Sequence, residues 1–436
     1  MDKNNDIKID HMAKIYGNAS LVVKIRDRKV KQCRLHIVES SRFFERMMKA
    51  KRFDEARRLA PRICGICSAS HNITAIMAAE DALGIEPSSQ VKRMREALIM
   101  GGMVQSHALQ LYFLALPDYM GYGGILDMAD KWPEHVDRAF RLKRLGNDVI
   151  QSLGGRPTHP VTTNIGRFTN IPDKHELDGL LGSLKKGLKD GKATVKLFSS
   201  FNQPEFEREK AMGALSDGKS YSILSGSPVI DGNEIKQEDF TKEVQTEERS
   251  YSTSKFIKHG RSEYMVGPLA RMNANHKHLS PAAMSALKAS GLRLPNHNSF
   301  NANVARAVEV VHSIETCMDV IKKIKPGLET KEKDGLKRLK KAVKPVRGCA
   351  ITEAPRGMLY HEYTIGRDGF IVDSNIITPT AQNLIPIEAD LRAFLPSVVS
   401  RPKQTKEKTI TEIEKLIRSY DPCISCATHF LDVVFG

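Results

Sequence analysis

Apolar and polar positions alternate along residues 19–38, as in Leu21-Val22-Val23-Lys24-Ile25 and Cys33-Arg34-Leu35-His36-Ile37 on either side of Arg26-Asp27-Arg28. This is the two-residue period of paired strands, so a β-hairpin is expected there. Beyond it the period lengthens. Ser40-Ser41-Arg42-Phe43-Phe44-Glu45 offers a helix cap ahead of an amphipathic segment that reaches about Ala60 and is stopped by Pro61. Small and apolar residues from Ala69 to Leu83 suit a helix buried among others, closed by Gly84 and Pro87. From Ser88 to about Leu116, Val91, Met94, Leu98, Leu109, Phe113 and Leu116 recur at helical spacing. Gly101-Gly102 marks close packing or a kink within it, and Pro117-Asp118-Tyr119 marks its end. A Gly-rich loop from Gly121 to Gly124 leads to a helix after Pro133. Gly154-Gly155-Arg156-Pro157-Thr158-His159-Pro160 is a stiff turn, and a further helix covers roughly 174 to 200.

Residues 201–275 carry β-prone pieces, Tyr221-Ser222-Ile223-Leu224 and Pro228-Val229-Ile230-Asp231-Gly232, among polar segments, and read as an irregular, β-containing insertion. Helical periodicity returns from Ala302 to Ile324 and continues through a Lys-rich stretch to about Val346. A second hairpin over 351–377 turns at Gly366-Arg367-Asp368-Gly369, and after Thr378-Pro379-Thr380 come helices at roughly 381 to 396 and 406 to 420, joined by an exposed connection from Arg401 to Lys408. The expected class is mainly α with small β-hairpins (α+β). A helical core at 88–200 anchors one domain over 1–436, because no linker separates independent units.

Hydrophobic content of 41% across 436 residues can build a large core. The start, Met1-Asp2-Lys3-Asn4-Asn5-Asp6, lacks the basic and apolar regions of a secretory signal, so a cytoplasmic location is expected. The longest apolar region, Ala97 to Leu116, contains Gln105, Ser106, His107 and Gln110, which are costly in lipid; it reads as a buried helix, not a membrane span. The net charge of +16 collects between Lys322 and Arg347, at Lys185 to Lys192 and at Lys403 to Lys408. These runs lack interleaved aromatics, which favours a solvated face over nucleic acid.

Four of the seven cysteines fall in two motifs. One is Arg62-Ile63-Cys64-Gly65-Ile66-Cys67 with His71 following (62–71); the other is Asp421-Pro422-Cys423-Ile424-Ser425-Cys426-Ala427-Thr428-His429 (421–429). Each runs Cys, two residues, Cys, then a nearby His, so each can aim two sulfurs at one point. Cys33, Cys317 and Cys349 stand alone and read as small buried hydrophobes. Soft thiolates suit zinc, nickel, copper(I) or iron clusters. Zinc ribbons set their pairs roughly 15–20 residues apart, whereas most of this chain lies between Cys67 and Cys423. That distance suits a functional centre better than a local staple. The competing reading is a basic, zinc-stabilised binding protein without redox activity. Glu353-Ala354-Pro355-Arg356-Gly357 puts a guanidinium on a stiff turn, able to satisfy an anionic metal complex, and Thr380 adds a hydroxyl donor. Arg62 beside Cys64 favours the thiolate. No nucleotide-binding Gly-rich fingerprint or phosphate loop occurs, so a flavin or nucleotide belongs on another subunit, as do iron–sulfur relay clusters.

With these two motifs the chain resembles the large, catalytic subunit of nickel-iron hydrogenases. The likeness extends through Arg42-Phe43-Phe44-Glu45, Leu116-Pro117-Asp118-Tyr119, Glu353-Ala354-Pro355-Arg356-Gly357 and Ile377-Thr378-Pro379-Thr380. It is most similar to the alpha subunit of cytoplasmic, NAD(P)-linked hydrogenases, or sulfhydrogenases. The quinone-site subunit of respiratory complex I shares that fold but lacks these four cysteines.

The resemblance implies a fold with a central helical bundle and a nickel–iron centre with carbon monoxide and cyanide on the iron. Cys64 and Cys423 are implied as terminal nickel ligands, and Cys67 and Cys426 as bridges to the iron. Pro355, Arg356, Thr378 and Thr380 are implied around the diatomic ligands. Glu45, the carbonyl of Ile376 and His429 are implied at a second site for Mg2+ (or Fe2+). Arg356, Asp118 and Asp421 are implied as catalytic groups in reversible heterolytic cleavage of H2, a thiolate or Arg356 taking the proton. The implied partners are a small iron–sulfur subunit, flavin/NAD(P) and ferredoxin-like subunits, and a maturation protease that removes Phe430 to Gly436; the alternative for this apolar tail is to stay as a short buried strand. The family's Arg-(Ile/Val)-Glu-Gly is replaced by Lys14-Ile15-Tyr16-Gly17. A phenol titrating near ~10 shuttles protons poorly at neutral pH, so either Glu45, Asp118 or a water chain carries them or turnover is slow.

Overall fold

A computed structural model describes residues 4–27, 29–324, 344–402 and 404–428. The expected hairpin forms: Ala19–Arg26 pairs antiparallel with Lys29–Ile37. Leu21, Val23 and Ile25 from one strand and Cys33, Leu35 and Ile37 from the other are all buried, as a two-residue period requires. A third strand, Asn4–Ile9, pairs with Ala19–Arg26 on its other edge. Only Ile7 and Ile9 give it an apolar face, too few to stand out in the sequence.

The helical core is built on Ser89–Ala108, which packs against Pro133–Gly154 and Ala302–Ile321. Lys174–Ser199 and Ser68–Leu83 lie beside them. Gly101 and Gly102 do not end the first of these helices, which runs through both. Their use is close approach, for a Cβ on Gly146 of the facing helix would lie 2.4 Å from the Gln105 amide nitrogen, and one on Gly101 would lie 2.6 Å from Val149 Cγ1. Beyond Ala108 the helix widens into a π-helical segment, Leu109–Ala115, and tightens again over Leu116–Met120. Pro117 therefore opens a last turn instead of ending the helix, since its missing N–H is unneeded there. Gly121, at φ 76°, makes the stop. The polar residues of the long apolar region are buried, and within the protein Gln110 donates to the Arg418 carbonyl and His107 Nε2 meets Glu309. Among the described residues no helix is long and apolar enough to cross a membrane.

Three expectations need correction. Residues 44–60 do not form one amphipathic helix. They break into Phe44–Met48, Ala56–Leu59 and a 3-10 turn at Ala60–Ile63, because the intervening backbone is claimed by a distant strand: Ala50 N donates to Ile371 O and Ile371 N to Lys51 O, both at 2.8 Å. Residues 201–275 carry β structure between irregular stretches as expected, but much of it is one ordered sheet and the β-prone piece at 221–224 lies outside any strand. Ala211–Ser216 lies parallel to Tyr264–Val266 and antiparallel to Ser227–Ile230, with Asn233–Glu234 completing four strands. Leu215, Ile230, Tyr264 and Val266 share one apolar cluster with Ile351, Met358 and Tyr360. Finally, the second hairpin is a three-stranded meander, Val346–Ala354, Gly357–Ile365 and Ile371–Ile377. The expected turn at 366–369 joins its last two strands, and an additional turn at Pro355-Arg356 joins the first two. The C-terminal helices, Pro379–Val399 and Lys406–Ser419, fall where expected. The helical expectation for the Lys-rich stretch lies largely outside the described residues. Lys185, Lys186, Lys189 and Lys192 form an exposed helix face.

Candidate metal centre

Cys64 follows the 3-10 turn in an extended conformation, and Cys67 stands just before the Ser68–Leu83 helix. Their Cys-x-x-Cys spacing lets the Cys67 amide donate to Cys64 Sγ at 3.4 Å. Cys423 stands likewise before the short Ile424–Ala427 helix, and the Cys426 amide donates to its carbonyl at 3.1 Å. The two halves meet. Cys64 Sγ lies 3.5 Å from Cys423 Sγ, Cys67 Sγ 3.3 Å from Cys426 Sγ, and Cys423 Sγ 3.1 Å from Cys426 Sγ. These separations are too long for disulfides and short enough for shared metal ligation. All four are at most 5% exposed.

The electrostatics of this pocket call for a cation. Neighbouring sulfurs, Cys423 foremost, hold the Cys64 thiol well below its usual range; the Cys423 sulfur pushes Cys67 up, and burial pushes Cys426 up. Crowded sulfurs in a dry site cannot all be anionic unaided, and a bound metal would displace the remaining protons. The donor set therefore fits a soft metal.

Several contacts join the two ends of the chain around the sulfurs. The Arg42 guanidinium donates to the carbonyls of both Ile63 and Ser425, and its amide donates to Thr428 O at 3.0 Å. Ile424 N donates to Tyr16 O at 2.7 Å, setting Tyr16 beside Cys423. Thr380 Oγ1 accepts from Cys423 N at 3.0 Å, and Thr378 Oγ1 donates to Cys426 O at 3.2 Å. The two expected threonines thus hold the second motif's backbone.

Arg356 is 2% exposed and far from a surface ion pair. Its Nε donates to Asp421 O at 2.7 Å, Nη2 to Asp421 Oδ1 at 2.9 Å, and Nη1 to Ser106 Oγ at 3.4 Å, while the guanidinium lies 4.8 Å from the centre of the Tyr16 ring. Burial works against its charge, but Asp421 and the nearby sulfurs hold it protonated well above the usual range. Burial pushes the Asp421 carboxyl up against the pull of Arg356. Tyr16 packs on the cysteine cluster with a buried hydroxyl that has no hydrogen-bond partner among the described residues, and burial pushes its phenol well up.

Other expected residues sit further out. Asp118 is engaged by Lys14 and Arg418, and Arg418 also donates to the Ala13 carbonyl at 2.7 Å. Glu45 Oε1 accepts from Ile376 N at 2.7 Å, which brings two of the three expected second-site residues together; His429 lies outside the described residues. His71 Nε2 is 4.0 Å from Cys426 Sγ, and its Nδ1 meets His361 Nε2 at 3.0 Å, with Tyr363 OH behind at 2.7 Å from His361 Nδ1. Arg62 is exposed. Sequence reasoning missed Arg271 and Glu309. Both are buried charges within apolar helices, and that interruption was the available signal.

The model of the nickel-dependent hydrogenase family matches residues 42–141 and 210–429. The chain is 34% identical over 435 residues to sulfhydrogenase 1 subunit alpha of Pyrococcus furiosus, covering 97% of each sequence. It is 27% identical over 471 residues to NAD-reducing hydrogenase HoxS subunit beta of Cupriavidus necator, covering 97% of this chain and 94% of that one. In fold it matches a crystal structure of an NAD+-reducing NiFe-hydrogenase in the H2-reduced state with a TM-score of 0.84 at 24% identity, over 98% of this chain and 100% of the other.

Proposed function

The chain belongs to the nickel-dependent hydrogenase family, whose members are oxidoreductases acting on H2, and from that premise we propose that it is the catalytic subunit in which Cys64, Cys67, Cys423 and Cys426 hold a nickel–iron centre. The observation that carries this reading is the convergence of four sulfurs, from opposite ends of the chain, with separations of 3.1, 3.3 and 3.5 Å. Cys64, Cys67, Cys423 and Cys426 would together hold nickel and iron, with Cys64 and Cys423 on the nickel side and Cys67 and Cys426 shared with an iron that would carry carbon monoxide and cyanide. When bound, the centre supplies Lewis acidity to polarise H2 and a redox couple to take its electrons.

The chain's own groups do the rest. Arg356 keeps a positive charge beside the sulfurs without water, fixed from two directions by Asp421. With Pro355, Thr378 and Thr380 it forms the wall assigned to the diatomic ligands. Tyr16 excludes water from the sulfur side and, with its phenol pushed up, keeps its proton. Protons are then assigned to leave by way of Asp421 and Asp118, the latter held by Lys14 and Arg418. A second cation, Mg2+ or Fe2+, is assigned to Glu45, the Ile376 carbonyl and His429.

Electrons pass to a small iron–sulfur subunit and on to NAD(P) through a flavin subunit, with a ferredoxin-like subunit in the same cytoplasmic assembly. A protease completes the site by removing Phe430 to Gly436. The test is metal and infrared analysis of the purified protein. Nickel and iron in comparable amounts, with bands of bound carbon monoxide and cyanide, support the reading; zinc alone sinks it.

A further inference from the structure

Arg356 rides on a turn, and a turn is not by itself a rigid mount. Behind it lies Arg271, on the Pro268–Asn275 helix and wholly buried. A guanidinium has five N–H donors in one plane, and here all five are used. Nε and Nη2 grip the two oxygens of Glu309, each at 2.7 Å; Nη1 reaches Glu353 Oε2 at 2.7 Å and Ala354 O at 2.9 Å; Nη2 also reaches Pro355 O at 3.0 Å. The last two acceptors are the carbonyls of the two residues immediately before Arg356. Glu309 is itself held by His107 at 2.8 Å and by the Tyr221 hydroxyl, so the far side of the fork cannot drift.

The same segment closes the other side of the turn. A Cβ on Gly267, which precedes the Arg271 helix at φ 113°, would sit 2.9 Å from the Arg356 carbonyl oxygen, and a Cβ on Gly357, at φ 130°, would sit 2.5 Å from Val266 Cγ2. Two positive-φ glycines back to back bring the two segments to near contact at Arg356.

A buried ion triad can be purely structural, and exchanging one for apolar residues is often harmless to stability. The carbonyl contacts argue for more. We propose that Arg271 is a positioning residue: clamped by Glu309, it fixes the Ala354-Pro355 backbone and thereby the place of the Arg356 guanidinium. The inference rests on the reading of Arg356 as a group facing the metals. Lysine keeps the charge, but with three donors and no plane it cannot serve both carboxylates and both carbonyls.

The test compares Arg271→Lys, Arg356→Lys and the double variant in the full-length, metal-loaded protein, with rates expressed per bound nickel. Arg271→Lys is expected to retain nickel, to lose about 10- to 100-fold in kcat with the KM for H2 little changed, and to shift the infrared bands of the diatomic ligands. Hydrogen exchange at Arg356 and Gly357 should quicken by about ten-fold while the Ser89–Ala108 helix keeps its protection. The double variant should turn over no more slowly than Arg356→Lys. Unchanged exchange at the turn, or losses that multiply in the double variant, overturn the proposal. Should Arg271→Lys fail to fold, Glu309→Gln, which releases half of the clamp, is read by the same measures, and the same outcomes support or overturn the clamp. Full turnover in Arg356→Lys would instead sink the reading of Arg356, leaving exchange at the turn to judge the clamp by itself.

Discussion

Arg356 grips Asp421 twice, once through the main-chain carbonyl at 2.7 Å and once through the carboxylate at 2.9 Å. One side chain therefore determines both the backbone and the charge two residues ahead of Cys423. Asp421→Ala would leave the guanidinium buried without its counter-ion, and breaking such a pair costs about 3 to 5 kcal/mol. Urea denaturation should report a loss of that order, with a smaller one for Asp421→Asn, which keeps an acceptor. A loss in Asp421→Asn equal to that in Asp421→Ala would mean that the charge carries the whole interaction, and no loss in Asp421→Asn would mean that the charge contributes nothing.

The four sulfurs act as one ligand set, so serine at any one position should lower bound nickel to a small fraction of the wild-type content. Elemental analysis of Cys64→Ser, Cys67→Ser, Cys423→Ser and Cys426→Ser checks this. Undiminished nickel in any of the four would remove that residue from the centre.

Tyr16 presents a buried hydroxyl with no partner among the described residues. Deleting an unsatisfied polar group relieves its desolvation, so Tyr16→Phe should leave stability unchanged or raise it by about 1 kcal/mol. A loss would reveal a hydrogen bond to the bound centre. Tyr16→Glu places a carboxyl beside the sulfurs and is expected to raise H2 turnover by supplying a proton carrier that titrates nearer neutrality. H2 uptake at an unaltered rate would count against a proton-transfer bottleneck at this position.

Stability should fall in mild acid. Burial pushes the imidazoles of His107 and His312 from 6.5 down to about 4, and His312 Nδ1 accepts from Ser280 N at 3.1 Å, which requires it to be bare. The unfolded chain takes up these protons as pH drops below 6.5 while the folded chain refuses them until about 4, so stability present at neutral pH is lost between those values. The loss is about 2 kcal/mol per histidine by roughly pH 5. Denaturation midpoints at about pH 7 and about pH 5 test it, and His312→Gln should flatten the slope.

Much of this architecture is legible in the chain because the relevant signals are local. The alternation through Leu21, Val23 and Ile25 marks a strand, and Gly101 announces a close helix crossing that Gly146 completes from the opposite side. The cysteine motifs declare a metal pocket by residue type and spacing. What stays hidden is decided by distant partners. Ala50 and Lys51 leave the helix pattern because Ile371 offers backbone bonds, and no window around residue 50 contains residue 371. The turn at Pro355-Arg356 is legible from its proline and glycine, but that it joins two paired strands shows only in the register of Glu353 with Met358 and Ala354 with Gly357. Arg271 looks like a stray charge in an apolar helix, and its meaning lies in carbonyls more than 80 positions away.

Because Cys64 and Cys423 are 359 positions apart, ribosomal synthesis delivers them at widely separated moments. A nascent chain carries the first pair as a bare two-sulfur chelate, open to whatever soft ion it meets. The complete cage arises only after nearly everything between has been translated and folded. Loading the right metals is thus a problem of timing, since an early intruder on Cys64 and Cys67 would be walled in when Cys423 and Cys426 arrive.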